Sequence, residues 1–161
     1  MYYTQYDSPV GRLLLTVEED ALTGLWMEKT PPAHATEKED HEVLMQAKVW
    51  LDAYFRKEVL PVNFSLQPEG TDFQKQVWDI LLAIPFGQTR TYGDIAREMA
   101  LRLGKEKMSA QAVGQAVGRN PISILIPCHR CLGAKKKLTG YAGGLEKKIW
   151  LLDHEEISWR K

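Results

Sequence analysis

Three observations predict an α/β chain built from two small domains. Three short strand-like runs precede one amphipathic helix within the first 56 residues. A stretch with prolines and glycine at 58–70 interrupts all periodicity. Capped helical runs then dominate the remaining residues. A chain of 161 residues suffices for one ordinary domain or two small ones. Its 44% hydrophobic and 26% charged content is that of a globular protein.

Residues 2–6, 12–17 and 22–27 are expected as strands, with Gly11 and Glu18-Glu19-Asp20 marking the turns between them. Residues 29–41 are charged, contain Pro31-Pro32, and read as a surface loop. Val43, Leu44, Ala47, Trp50, Leu51, Tyr54 and Phe55 recur at helical spacing, which predicts a helix over roughly 41–56. Pro61, Pro68 and Gly70 make 58–70 a linker and divide the chain into domains at 1–66 and 71–161.

The second domain opens with Thr71-x-x-Gln74, a capping-box pattern, with Phe73, Val77, Ile80 and Leu81 on one helix face. Pro85-Phe86-Gly87 ends that helix. Thr91-x-x-Asp94 starts the next, with Ile95, Ala96 and Met99 inward. Gly104 opens a charged loop, Ser109 caps a third helix bearing Ala112, Val113, Ala116 and Val117, and Gly118 closes it. The last two of these helices have the size of a helix-turn-helix, which presents its later helix to DNA. A purely structural three-helix cluster carries the same signature. After the Asn120-Pro121 turn, Ile122–Ile126 is expected as a strand leading into Pro127-Cys128-His129-Arg130. Lys135-Lys136-Lys137 forms a basic loop between Gly133 and Gly140. Gly143-Gly144 opens a final helix with Leu145, Ile149 and Leu152 on one face, reaching His154-Glu155.

Charge is unevenly spread although it sums to zero. Residues 1–70 carry twelve acidic and six basic side chains; residues 71–161 carry nine acidic and fifteen basic. The basic second half suggests a polyanion as partner. No apolar run is long enough to cross a bilayer, so no membrane partner is expected. The opening lacks the basic flank and apolar stretch of a signal peptide, so a cytoplasmic location is expected.

The two cysteines, Cys128 and Cys131, sit too close together to staple a fold. They admit three chemistries. A thiol becomes a nucleophile as its thiolate, and His129 beside Cys128 can take the proton, directly or through a water. Glu155 can then orient that histidine as the third member of a triad. A redox pair would be expected near a βαβ pattern, which is absent here. Tetrahedral zinc needs four ligands, and His34, His41, His129 and His154 show no paired spacing, so no metal is expected.

The segment from Asn120 to Arg130, with Pro127-Cys128-His129-Arg130 at its end, resembles the active-site signature of the methylated-DNA–protein-cysteine methyltransferases, or O6-alkylguanine-DNA alkyltransferases. The similarity continues through Tyr141-Ala142-Gly143-Gly144-Leu145 and Trp150 to Glu155. Upstream it includes Phe73–Trp78, Ile84–Gly87, Thr91–Ala96 and Ala112-Val113-Gly114, and so spans nearly all of 71–156. The resemblance implies a ribonuclease-H-like α/β support domain and then a mainly helical, winged-helix-like domain with a helix-turn-helix. It implies transfer of the alkyl group of O6-alkylguanine, and of O4-alkylthymine, from a flipped base to Cys128 in a single turnover. His129 then resembles the base, Glu155 its orienting carboxylate, Asn120 the support of the turn, and Tyr92 the residue that rotates the nucleotide and protonates the leaving guanine. Tyr141, Ala142, Gly143 and Cys131 resemble the base pocket, with the backbone of Cys128, Cys131 and Ala142 meeting the guanine. Tyr92, Gly93, Ser109, Ala110, Gln111, Gly114, Arg119 and Arg130 match DNA-facing positions. The partner implied is double-stranded DNA carrying O6-alkylguanine, entered through the minor groove by a monomer with no cofactor and no obligate protein partner.

The chain departs from that pattern at two informative positions. Gln111 stands where the family has an arginine that fills the gap left by the flipped base. Cys131 stands where an aliphatic residue is usual, either as a small buried hydrophobe or as a redox partner of Cys128. A sensor that flips bases without repairing them lacks the acceptor cysteine, which this chain keeps.

Overall fold

The structure is a computed structural model that describes all 161 residues. It comprises two compact units, one formed by residues 1–69 with 121–123 and the other by 70–120 with 124–161.

In the first unit, β1 (Tyr2–Ser8), β2 (Gly11–Glu18) and β3 (Ala21–Met27) form an antiparallel meander with β2 at its centre. Leu13 through Val17 are all buried, which fits a central strand covered on both faces. Gly24 is required by close approach. A Cβ there would collide with the Trp26 indole nitrogen and lie 2.6 Å from the Thr16 hydroxyl. Two strands of two residues each, β4 (Thr36–Glu37) and β5 (Ser65–Leu66), extend the sheet in parallel at its edges. They lie in the expected loop and linker, because pairs this short carry no period. The helix α1 (Glu42–Phe55) begins at His41, whose Nδ1 accepts from the Val43 amide at 3.1 Å. Val43, Leu44, Ala47, Leu51 and Tyr54 are its buried stripe.

The segment 122–126 is not the strand its apolar run suggests. Leu25 donates to the Pro121 carbonyl and accepts from the Ser123 amide, which makes one isolated bridge at Ile122. Ile124 then turns left-handed with φ 70°. The run is apolar because Ile122, Ile124, Leu125 and Ile126 are all buried in a turn, not because they pleat.

The second unit starts with α2 (Asp72–Leu82), held by the reciprocal Thr71–Gln74 capping box. Thr91 and Asp94 make the same box at the start of α3 (Tyr92–Leu103). Gly104 ends α3 in the left-handed conformation (φ 66°), a conformation glycine adopts without Cβ strain. The chain then reaches α4 (Ala110–Gly118), capped by the Ser109 hydroxyl. The buried Trp78 indole donates to the Ala116 carbonyl at 2.9 Å and pins α2 to α4. A short parallel pair, β6 (Arg90–Thr91) with β7 (Cys131–Leu132), brings the start of α3 beside the second cysteine. The last helix is α5 (Leu145–His154). Leu132, Leu152 and Ile157 pack with Leu138 and Trp159 into a second small core. No helix is long and apolar enough to cross a membrane.

Candidate active site

Cys128 begins a single 3-10 turn, Cys128–Arg130, and is 5% exposed. Pro127 has φ −79° and ψ 67°, and the Cys128 amide donates to the Ile126 carbonyl at 2.7 Å. This is an inverse γ-turn, and proline suits it because its φ is already set. The same carbonyl accepts from the Asn120 side chain at 2.8 Å, so Asn120 clamps the turn that delivers the sulfur. Burial pushes the Cys128 thiol pKa up; hydrogen bonds from Asn120 and Tyr141 and the nearby charge of Lys148 pull the other way. Those three groups are what the site offers to a thiolate.

Glu155 caps the C-terminus of α5 and is the hub of the site. It accepts from His129 Nε2 at 2.6 Å, from Arg130 Nε and Nη2 at 2.8 and 3.1 Å, and from the Gly87 amide at 2.9 Å. Gly87 presents that amide with φ 83°, a left-handed conformation that favours glycine. Burial alone would raise the Glu155 pKa, but its bonds to His129 and Arg130 hold it well below the usual carboxylate range. His129 is fully buried, and burial pushes its pKa down despite the carboxylate beside it. A neutral His129 must therefore carry its proton on Nε2, facing Glu155. Its other nitrogen, Nδ1, is buried without a hydrogen-bond partner and does not bond Cys128 directly. The arrangement is a lone pair fixed in orientation on the residue next to the thiol.

A second network lies at the β6–β7 side. Lys148 on α5 is fully buried and donates to the Cys131 carbonyl at 2.8 Å, the Thr139 hydroxyl at 3.2 Å and the Gly140 carbonyl at 3.4 Å. Desolvation pushes its pKa down. The Thr139 hydroxyl also meets Tyr92 Oη at 2.8 Å. Burial pushes the Tyr92 phenol up to about 12, with the two cysteines adding to the rise. Burial likewise pushes the Cys131 thiol to about 12, and that thiol faces the Tyr92 hydroxyl. An inert, protonated Cys131 behaves as a small buried group here.

The residues expected to face DNA divide into two sets. Ser109, Ala110, Gln111 and Arg119 are exposed along α4 and its ends. Gly114 on α4 lies against the Tyr92 ring, and a Cβ built there would be 3.7 Å away. Gly93 follows Tyr92 on α3, and Ala142 and Gly143 lie in the loop before α5. Arg130 is a correction. It is 7% exposed, and its guanidinium is committed to Glu155 and to the Ile84 carbonyl at 2.7 Å. A buried cation already paired with a carboxylate is a brace for the site, not a phosphate contact.

Four contributors are not anticipated from sequence: Lys148, Thr139, the Gly87 amide and the Ile84 carbonyl. Only Lys148 leaves a signal. It lies three residues after Leu145 and four before Leu152, on the apolar stripe of α5, where a lysine needs partners to be tolerated. Backbone donors and acceptors leave no trace in residue type.

Comparison with known proteins places this geometry. The family model described as 6-O-methylguanine DNA methyltransferase, DNA binding domain, matches residues 72–157. The model of the same family's ribonuclease-like domain matches residues 1–68. A methylated-DNA–protein-cysteine methyltransferase of Methanosarcina acetivorans is 44% identical over 96% of this chain and 98% of its own. One from Haemophilus influenzae is 43% identical over 99% of this chain and 88% of its own. The Mycobacterium tuberculosis protein OGT, solved in complex with DNA, superposes with a TM-score of 0.85 at 43% identity, covering 97% of this chain and 93% of that one.

Proposed function

The chain belongs to the 6-O-methylguanine DNA methyltransferase family, and from that premise we propose that it repairs DNA by moving an alkyl group from a flipped base to the sulfur of Cys128. The observation that carries this reading is the His129–Glu155 pair. Glu155 holds Nε2 as the donor, which leaves the Nδ1 lone pair of the adjacent residue to take the Cys128 proton, directly or through one water. The thiolate so formed is met by Asn120, Tyr141 and the charge of Lys148.

The substrate is O6-alkylguanine in duplex DNA, with O4-alkylthymine as a second lesion. The alkyl carbon cannot be attacked in line while the base is stacked, so the nucleotide is extruded at a cost of about a few kcal/mol. The exposed face of α4, with Ser109, Ala110, Gln111 and Arg119, enters the minor groove and holds phosphates without reading sequence. Tyr92, braced against Gly114 of that helix, helps rotate the nucleotide and gives its proton to the leaving guanine. Tyr141, Ala142, Gly143 and the backbone of Cys128 and Cys131 frame the base. The thiolate supplies the electron pair, so the transfer needs no cofactor. Its product is a thioether that water does not cleave, so each molecule acts once, as a monomer.

Intact-mass measurement after incubation with an O6-methylguanine duplex tests the reading. One added methyl group is expected, mapped to Cys128 and absent from a Cys128→Ala control. Tight binding with no mass change marks a sensor instead, and loss of two hydrogens on oxidation with indifference to the lesion marks a redox protein. Either result overturns the proposal.

Gln111 sets a further expectation. Glutamine can hydrogen-bond the orphaned partner base, but it lacks the charge and the stacking plane of a guanidinium. Gln111→Arg is expected to tighten lesion binding or raise the single-turnover rate by about tenfold, on the order of one added charged contact. Unchanged affinity and rate in a filter-binding and rapid-quench pair would remove this role for residue 111.

A further inference from the structure

The proposed reaction needs a proton at the leaving guanine, and Tyr92 is a weak acid at about 12. The hydrogen bonds behind Tyr92 show where help comes from. Thr139 Oγ1 has two partners, Lys148 Nζ at 3.2 Å and Tyr92 Oη at 2.8 Å. An ammonium only donates. If Tyr92 also donated to Thr139, the threonine hydrogen would have no acceptor among these groups. The satisfied arrangement runs one way: Lys148 donates to Thr139, Thr139 donates to Tyr92, and the Tyr92 proton points away from both.

We propose that Lys148 and Thr139 are positioning residues that form a proton relay feeding Tyr92, and that they discharge through it onto the departing guanine. This rests on the repair reading of Cys128. As the sulfur–alkyl bond forms, the alkyl–O6 bond breaks and its electron pair passes into the guanine ring. Tyr92 gives its proton to that ring. Thr139 gives its hydroxyl proton to the phenolate oxygen, and Lys148 gives one ammonium proton to the Thr139 oxygen. Lys148 ends neutral, Tyr92 and Thr139 end unchanged, and guanine ends protonated. Full burial of Lys148 favours giving up that charge. Its bonds to the carbonyls of Cys131 and Gly140 keep it aimed at Thr139. Because the protein acts once, the relay needs no reloading.

The test separates a leaving group that needs a proton from one that does not. Single-turnover transfer is measured from an O6-methylguanine duplex, and methylation of Cys128 is measured in parallel with methyl iodide, whose iodide leaves unprotonated. Thr139→Val keeps the shape and removes the hydroxyl; Thr139→Ser restores it. Thr139→Val is expected to slow transfer from the lesion by about 10- to 100-fold, the lower range for loss of general-acid assistance, while its methyl iodide rate stays near that of the unaltered chain. Thr139→Ser is expected to recover most of the lesion rate. The solvent deuterium isotope effect on lesion transfer is expected to fall in Thr139→Val as the proton chain is cut. The relay is overturned if Thr139→Val repairs as fast as the unaltered chain. It is equally overturned if both reactions slow together, or if Thr139→Ser is as slow as Thr139→Val. An unaltered chain that takes methyl from iodide but none from the lesion removes the repair reading itself, and the relay with it.

Discussion

Glu155→Ala is expected to abolish measurable transfer to Cys128 and to destabilise the second unit by about 3–5 kcal/mol, the usual cost of breaking a buried ion pair from one side. The carboxylate accepts four hydrogen bonds, from His129, twice from Arg130, and from the Gly87 amide. Its removal leaves a buried guanidinium without its counter-charge and orphans two further N–H donors. His129 loses the partner that fixes which nitrogen is protonated, so its lone pair is no longer held for the thiol. Glu155→Gln keeps the shape and one acceptor oxygen, and is expected to cost about half as much, since it removes the charge but not all hydrogen bonds. Urea unfolding monitored by tryptophan fluorescence reads the stability. A loss below about 1 kcal/mol for the alanine variant would place the pair among ordinary surface bridges and sink the argument.

The same hub fixes a pH dependence. Glu155 has a folded pKa below its ordinary 4.5, so under pH 4.5 the unfolded chain takes up a proton that the folded chain refuses. His129 has a folded pKa below its ordinary 6.5, so the unfolded chain takes up its proton first there as well. Both effects have the same sign. Stability falls as pH drops below about 6.5 and falls more steeply below about 4.5. In Glu155→Ala the steeper part is absent.

Much of this is legible in the residues, and the parts that are not share a common cause. Thr71, Thr91, Ser109 and Gly104 act locally, through side chains or backbone freedom that bond within three or four residues. Their helix ends can therefore be read directly and are found as expected. Ile122–Ile126 reads as a strand because burial and strand pairing leave the same apolar signature, and only a long-range partner tells them apart. Arg130 misleads for the converse reason. Beside a reactive cysteine in a basic half, a cation suggests phosphate, yet its partner Glu155 lies 25 residues away and accepts it in the core. Cys128, His129 and Glu155 can be named because their types carry chemistry. The Gly87 amide and the Ile84 carbonyl cannot, because every residue has such groups.

Lys148→Met is expected to slow methylation of Cys128 by methyl iodide and by lesion DNA alike, in contrast with Thr139→Val. Methyl iodide asks only for a thiolate, and Lys148 is the cation whose field favours that thiolate against its burial. Removing one nearby opposite charge is expected to cost about tenfold or more in thiolate population at neutral pH. The rate–pH profile of the methyl iodide reaction then moves to more alkaline values, and the variant approaches the unaltered chain only at high pH. Fold stability responds less, because two effects oppose. The carbonyls of Cys131 and Gly140 lose their donor, at about 1–3 kcal/mol for each buried group left unpaired. Methionine, of similar length, also escapes the desolvation of a buried ammonium, which in other cores has repaid about 1–4 kcal/mol. A large rate effect with a small change in urea midpoint therefore separates electrostatic activation of the sulfur from simple support of the fold. If Lys148→Met instead left the methyl iodide rate and its pH profile untouched, the Cys128 thiolate would owe nothing to this cation, and Asn120 and Tyr141 alone would have to sustain it.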